Sequence, residues 1–144
     1  MTLLRADVPL FKQLLTVFGQ AFAEPETYQS AVPSNPYWQT LLGRQHFIVL
    51  VAQAGQTVVG GLAAYELEKF EQERKELYIY DLAVAAEHRR QGIATSLIRE
   101  LQRVAKARGA YVIFVQADPG DTPATRLYES LGWREDVHHF DIPV

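Results

Sequence analysis

The sequence contains no cysteine, which removes disulfides, thiolate zinc sites and a cysteine nucleophile, and fits a reducing compartment. Long apolar runs are missing as well: none approaches the roughly 18 residues of a membrane-spanning helix. The opening MTLLRADVPLF lacks a basic stretch followed by an apolar one, so a soluble, cytoplasmic protein with no membrane partner is expected. Positive charge is not in excess. The formal net charge is −3, against the basic face that phosphate-driven binding to nucleic acid needs, so no nucleic-acid partner is expected. Repeats and low-complexity segments are absent. His138 and His139 are adjacent and would point to opposite faces of a strand, and His46 and His88 have no partner at ligand spacing, so no metal is expected.

What is present is a chain of 144 residues, 48% of them apolar, enough to bury the core of one domain spanning residues 1–144. Its charges are sorted along the chain. Arg89, Arg90, Arg99, Arg103, Lys106 and Arg108 face only Glu100 between His88 and Gly109, a stretch suited to an anion. Glu66, Asp81, Asp118, Asp121, Glu135 and Asp136 lie in acidic stretches suited to a cation, although the acids from Glu68 to Glu76 read as a solvated loop.

Asp7 is placed to cap a helix whose apolar positions Leu10, Leu14, Phe18 and Phe22 recur every fourth residue. Pro25 and the polar residues to Asn35 read as a loop, and a second short helix runs to Leu42, ended by Gly43. HFIVLVAQ and the run from Gln56 to Leu67 make a hairpin, with Gly60 and Gly61 allowing close backbone approach or a bulge. LYIYDLAV is a strand, IATSLIRELQRVAKAR a helix ended by Gly109, and YVIFVQA another strand. ATRLYESLG is a closing helix and WREDVHHFDIPV a last strand. This order gives a mixed α/β sheet flanked by helices.

The most informative segment is LAVAAEHRRQGIATSLI. A strand ends, Arg89, Arg90, Gln91 and Gly92 make a tight passage, and a helix starts with Ile93, Ala94 and Thr95. Free amides, the positive end of the helix dipole and the missing side chain at Gly92 together suit a pyrophosphate. A plain strand-to-helix turn would carry the same glycine. Arg89, Gly92 and Ala94 fit the R-x-x-G-x-A phosphate motif, preceded by the strand DLAV, and in these two elements the chain resembles the GNAT acetyltransferases. ATRLYESLGW resembles that family's closing helix, with Tyr128 at the position of a tyrosine beside the coenzyme sulfur. Asp121 stands seven residues earlier, where many relatives have asparagine. Across roughly residues 46 to 142, GGLAAYELEKFEQERKELYIYDLAV, HRRQGIAT, GAYVIFVQADPGD and REDVHHFDI resemble the class I, gentamicin-type aminoglycoside 3-N-acetyltransferases.

The resemblance implies a mostly antiparallel central sheet with a splayed parallel pair. It implies acetyl-CoA as cofactor, held by Leu82, Ala83, Val84, Arg89, Arg90, Gln91, Gly92, Ile93, Ala94, Thr95, Asp121 and Tyr128. It further implies direct attack of an amine on the thioester in a ternary complex, with the acetyl group delivered to the 3-amino group of an aminoglycoside. Since a phenol can protonate a departing thiolate, Tyr128 is expected to be the general acid. Asp81, next to the pantetheine strand, is expected to be the base or to orient the substrate ammonium, with Asp118 the second candidate for the base. Glu66, Asp81, Asp118, Glu135 and Asp136 are expected to attract the cationic substrate. A polyamine, amino acid or protein amine remains open as acceptor, as does a non-catalytic acyl-CoA-binding module. Relatives lead one to expect a homodimer.

Overall fold

The computed structural model describes residues 1–144 apart from the side chain of Ala6. The chain opens with a short 3₁₀ turn, Arg5–Asp7, that runs into helix α1, Val8–Ala21. Asp7 does occupy the position before α1, but its carboxylate caps nothing there. It accepts instead from the backbone N–H of Leu4 at 2.7 Å, closing the 3₁₀ turn that precedes the helix. Helix α2, Pro25–Gln29, lies where the sequence suggested only a loop. Proline at its first position, where a missing N–H costs nothing, starts it. Helix α3, Asn35–Leu42, begins under a cap in which Ser34 Oγ accepts from the N–H of Tyr37.

Strands β1, Phe47–Ala54, β2, Thr57–Glu68, and β3, Lys75–Val84, form an antiparallel meander. Helix α4, Ile93–Arg108, then carries the chain across to β4, Ala110–Val115, which pairs parallel to β3. The sheet order is therefore β1-β2-β3-β4. Helix α5, Thr122–Leu131, follows on the connection out of β4.

Period-two alternation distributes β1 between two cores. Phe47, Val49 and Val51 join Phe11, Leu14, Phe18 and Trp38 on the face covered by α1 and α3. Ile48 and Leu50 join Leu62, Leu77, Ile79, Leu97 and Leu101 on the face covered by α4. Burying each large side chain contributes roughly 2 kcal/mol. Gly61 is obligatory to the first core: a Cβ there would come within 2.6 Å of both Leu14 Cδ1 and the Leu50 carbonyl. The glycine pair thus acts as expected, with a register shift beside it where Val59 is the unpaired residue.

The expected last strand is not formed within this chain. Residues 133–144 carry no strand pairing and are exposed throughout. With Gly132 extended at φ −159°, the tail leaves the end of α5 and runs off the body.

Candidate active site

The site arises where β3 outruns β4. Pairing between the two ends at Ile79 and Val115, because β4 stops there while β3 continues to Val84. One backbone edge of Tyr80, Asp81, Leu82, Ala83 and Val84 is left open by this splay, and pantetheine amides can pair with such an edge as an added strand does. On the opposite edge β2 stays paired, with a bulge: Ala63 faces Asp81 and Ala64 faces Ile79, so Tyr80 is the extra residue. A bulge re-aims neighbouring side chains. Here it leaves Tyr80 largely exposed and sets Asp81 half-buried.

The open edge leads directly to the anion loop. Beyond Val84, the turn Ala86–His88 is followed by Arg89, whose Nε donates to the Val84 carbonyl at 3.3 Å. Arg90 has φ 61° and Gly92 φ 78°, both left-handed. Gly92 precedes the first residue of α4, and a Cβ there would meet nothing within 4 Å. Backbone conformation rather than space therefore calls for glycine at this position. The first amides of α4, those of Ile93, Ala94 and Thr95, have no acceptor within the helix and carry the positive end of its dipole. Gly60 lies beneath: a Cβ on it would stand 3.1 Å from the Ala83 carbonyl and 3.4 Å from Ile93 Cγ2. A free strand edge feeding a helix N-terminus matches acetyl-CoA, whose pantetheine arm presents amides and whose pyrophosphate presents charge.

Asp81 and Tyr128 flank the edge. Burial raises the Asp81 carboxyl above the usual aspartate range, the Tyr28 hydrogen bond opposes that rise, and the charge of Glu24 adds to it. Tyr28 Oη donates to Asp81 Oδ2 at 2.9 Å. Burial pushes the Tyr128 phenol up to about 12, with the charges of Asp121 and then Asp81 adding to the effect. Tyr128 therefore keeps its proton at neutral pH and sits close enough to Asp81 to feel its charge. Asp121 caps α5, its Oδ1 accepting from the Ala124 N–H at 3.2 Å.

Tyr28 and Glu24 were not anticipated from sequence. Tyr28 sits on α2, and its ring packs between Phe18 and Phe22, 6.0 Å from each centroid. Gly19 admits α2 against α1, since a Cβ on it would touch Pro25 Cα at 3.4 Å and Tyr28 Cβ at 3.5 Å. The proline-started turn at Pro25 was the available signal. Burial and the Asp81 contact raise the Tyr28 phenol well above its ordinary range.

The other expected substrate-binding acids have these surroundings. Glu66 pairs with Arg108 at 3.4 Å and Lys75 at 3.7 Å, its side chain almost fully enclosed. It stands opposite Leu77, four residues and roughly 13 Å along the strand from Asp81. Asp118 is exposed on the loop into α5, whereas Glu135 and Asp136 are on the detached tail, where Asp136 accepts from Arg134 at 2.7 Å. Two basic residues of α4 are also engaged away from the loop, Arg103 with Glu100 and Arg108 with Glu66. Arg89 and Arg90 alone of that series stand in the anion loop.

Residues 12–133 match the acetyltransferase (GNAT) family, and the chain belongs to that family, whose members use acetyl-CoA. Among solved structures it is 55% identical to an aminoglycoside acetyltransferase, HMB0005, from an uncultured soil metagenomic sample, with TM-score 0.98 over 100% of this chain and 96% of that one. It is 35% identical to a second soil-metagenome aminoglycoside acetyltransferase, meta-AAC0020, in complex with sisomicin, with TM-score 0.91 over 100% of this chain and 94% of the other. Among curated proteins, N-acetyltransferase 8B of Rattus norvegicus is 31% identical over 90 residues, 62% of this chain and 40% of that protein. N-acetyltransferase 8 of Homo sapiens is likewise 31% identical, over 62% of this chain and 40% of its own length. The chain thus spans about two fifths of the length of these curated relatives.

Proposed function

We propose that this protein transfers the acetyl group of acetyl-CoA to the 3-amino group of an aminoglycoside. The observation that carries the reading is the open edge of β3, which runs from the half-buried carboxylate of Asp81 to the amides at the start of α4, with the protonated phenol of Tyr128 beside it. Full-length similarity to two aminoglycoside acetyltransferases supports the choice of acceptor.

On this reading Asp81 accepts the proton of the incoming ammonium, directly or through water. Its raised pKa makes it a stronger base than an ordinary aspartate. The amine then attacks the thioester carbonyl, and a backbone N–H of the open edge stabilises the developing oxyanion. The carbon–sulfur bond breaks as Tyr128 donates its proton to the sulfur, and the proton that the acylated nitrogen sheds restores the phenol. Leu82, Ala83 and Val84 hold the pantetheine arm, and Arg89 to Thr95 with Gly92 hold the pyrophosphate. Thiol release from acetyl-CoA, followed with gentamicin, spermidine, free amino acids and an N-terminal peptide as acceptors, tests the substrate class. Turnover with gentamicin at least about 10²-fold above the other acceptors is expected; preference for spermidine or the peptide would refute the aminoglycoside reading.

A further inference from the structure

Four aromatic side chains stand in register across one face of the sheet, one from each strand. Phe47 faces Tyr65, Tyr65 faces Tyr78 and Tyr78 faces Phe114. Such cross-strand pairs stabilise a sheet: the rings of Phe47 and Tyr65 lie 5.1 Å apart, and Tyr78 stacks on Phe114 at 4.6 Å and 19°. Pairing does not account for Tyr80. As the extra residue of the bulge it has no partner on β2, yet its ring stands edge-to-face against both Tyr65 at 6.1 Å and Tyr78 at 5.8 Å. These contacts hold the ring without covering it, since the residue stays 64% exposed. The bulge also decides what lies beside it. Tyr80 meets Tyr65 and Asp81 accepts from Tyr28, and both of those tyrosines pack against the core under α1. Two consecutive side chains that regular alternation would send to opposite faces therefore share one face. Burial and then Tyr80 raise the Tyr78 phenol, and the charge of Asp81 adds to the rise, so the carboxylate is felt across this shelf.

An aminated sugar or cyclitol ring has two kinds of surface. Its faces carry C–H bonds polarised by the neighbouring nitrogen and oxygen atoms, and its edge carries the ammonium groups. The negative face of a tyrosine ring attracts polarised C–H bonds and nearby cations, and a carboxylate beside it attracts the ammonium. On the aminoglycoside reading above, on which this step depends, we propose that one ring of the acceptor lies on Tyr80 while its reacting nitrogen reaches Asp81, so that Tyr80 selects ring-borne amines over flexible chains. Asp81 alone cannot make that distinction, because every acceptor amine presents it with the same ammonium. A linear polyamine carries comparable charge but offers no rigid face to the phenol, and it loses more conformational freedom on binding. The bulge thus serves the acceptor twice, by setting the carboxylate on the α1 face and by leaving an aromatic platform next to it.

The test combines steady-state kinetics with gentamicin and NMR of gentamicin bound to the full chain. Tyr80→Leu, which keeps an apolar side chain and removes the ring, should raise KM for gentamicin roughly tenfold, with kcat and KM for acetyl-CoA changed no more than a few-fold. Tyr80→Phe, which keeps the ring, should bring KM back to within about threefold of the unsubstituted protein. A direct readout needs no substitution: ring C–H resonances of gentamicin should move upfield on binding, as protons over an aromatic face do, and the Tyr80→Leu protein should not shift them. Unaltered acetyl-CoA kinetics and far-ultraviolet circular dichroism show that the variants are folded. Gentamicin turnover with a KM indifferent to Tyr80→Leu, or ring resonances that do not shift in the unsubstituted protein, would overturn the platform while leaving the aminoglycoside reading intact. Turnover of spermidine or a peptide but not of gentamicin would overturn that reading and the platform with it.

Discussion

In the proposed mechanism Asp81 and Tyr128 have opposite requirements: one must be ionised before the reaction and the other protonated. Partial burial serves both, because it disfavours each charged form and so raises both pKa values. Removing the phenol in Tyr128→Phe should lower kcat about 10²-fold or more, with KM for acetyl-CoA changed only a few-fold, in steady-state assays. Unchanged kcat would remove it as the acid. Tyr28 acts on the reaction only through Asp81, which makes it a positioning residue. Its hydrogen bond favours the carboxylate, so in Tyr28→Phe the Asp81 pKa should climb. As the base must be ionised, the acidic limb of the kcat/KM profile should then move to higher pH. A limb that stays in place would exclude Asp81 as the titrating base. Linkage gives a second readout. Because Asp81 binds its proton more tightly folded than unfolded, its ionised form costs stability above its folded pKa, and that cost disappears as pH falls below the ordinary aspartate range. Asp81→Asn should therefore raise the melting temperature at pH 8 and leave it nearly unchanged at pH 3.

At the scale of elements, the coenzyme wedge depends on where strands stop rather than on any one side chain. β4 ends at Val115 because Gln116 onward enters the turn DPGD, and β3 continues because its alternating residues still reach both cores. The helix after Gly92 and both halves of the hairpin were legible in sequence, since periodicity and glycine placement report local preference. The splayed parallel pair was expected through the family resemblance alone and the Tyr80 bulge not at all, because register depends on partners distant in the chain. For the same reason α2 escaped notice: a short helix gains its stability from packing on α1 through Gly19, not from its own propensity. Gly92→Ala forces a Cβ into φ 78°. It should cost about 1–2 kcal/mol in denaturant unfolding and raise KM for acetyl-CoA by at least several-fold, since the loop must relax to accept it. An unchanged KM would mean that the left-handed turn does not shape the coenzyme site.

For the whole molecule, the acidic and basic segments that suggested two ligand faces resolve in part into ion pairs. Glu66, Glu71 and Glu76 meet Lys69, Arg74, Lys75 and Arg108 at the end of the sheet away from the anion loop. Linear charge distribution cannot show this, because hairpin pairing decides which charges meet. What remains at the wedge is a small acidic group, Asp81 with Glu24, beside a basic loop, Arg89 with Arg90. The KM for a polycationic acceptor should rise by at least a few-fold from 0.05 to about 0.5 M salt while kcat holds, as screening weakens the attraction. A salt-independent KM would argue that Asp81 does not draw in the substrate.

The most direct test of the central claim is the structure of the product. Gentamicin acetylated by the purified protein and acetyl-CoA should gain one acetyl group, and two-dimensional NMR should place it on the 3-amino nitrogen. Acetylation at another amine, or no product from gentamicin despite binding of acetyl-CoA, would contradict the assignment.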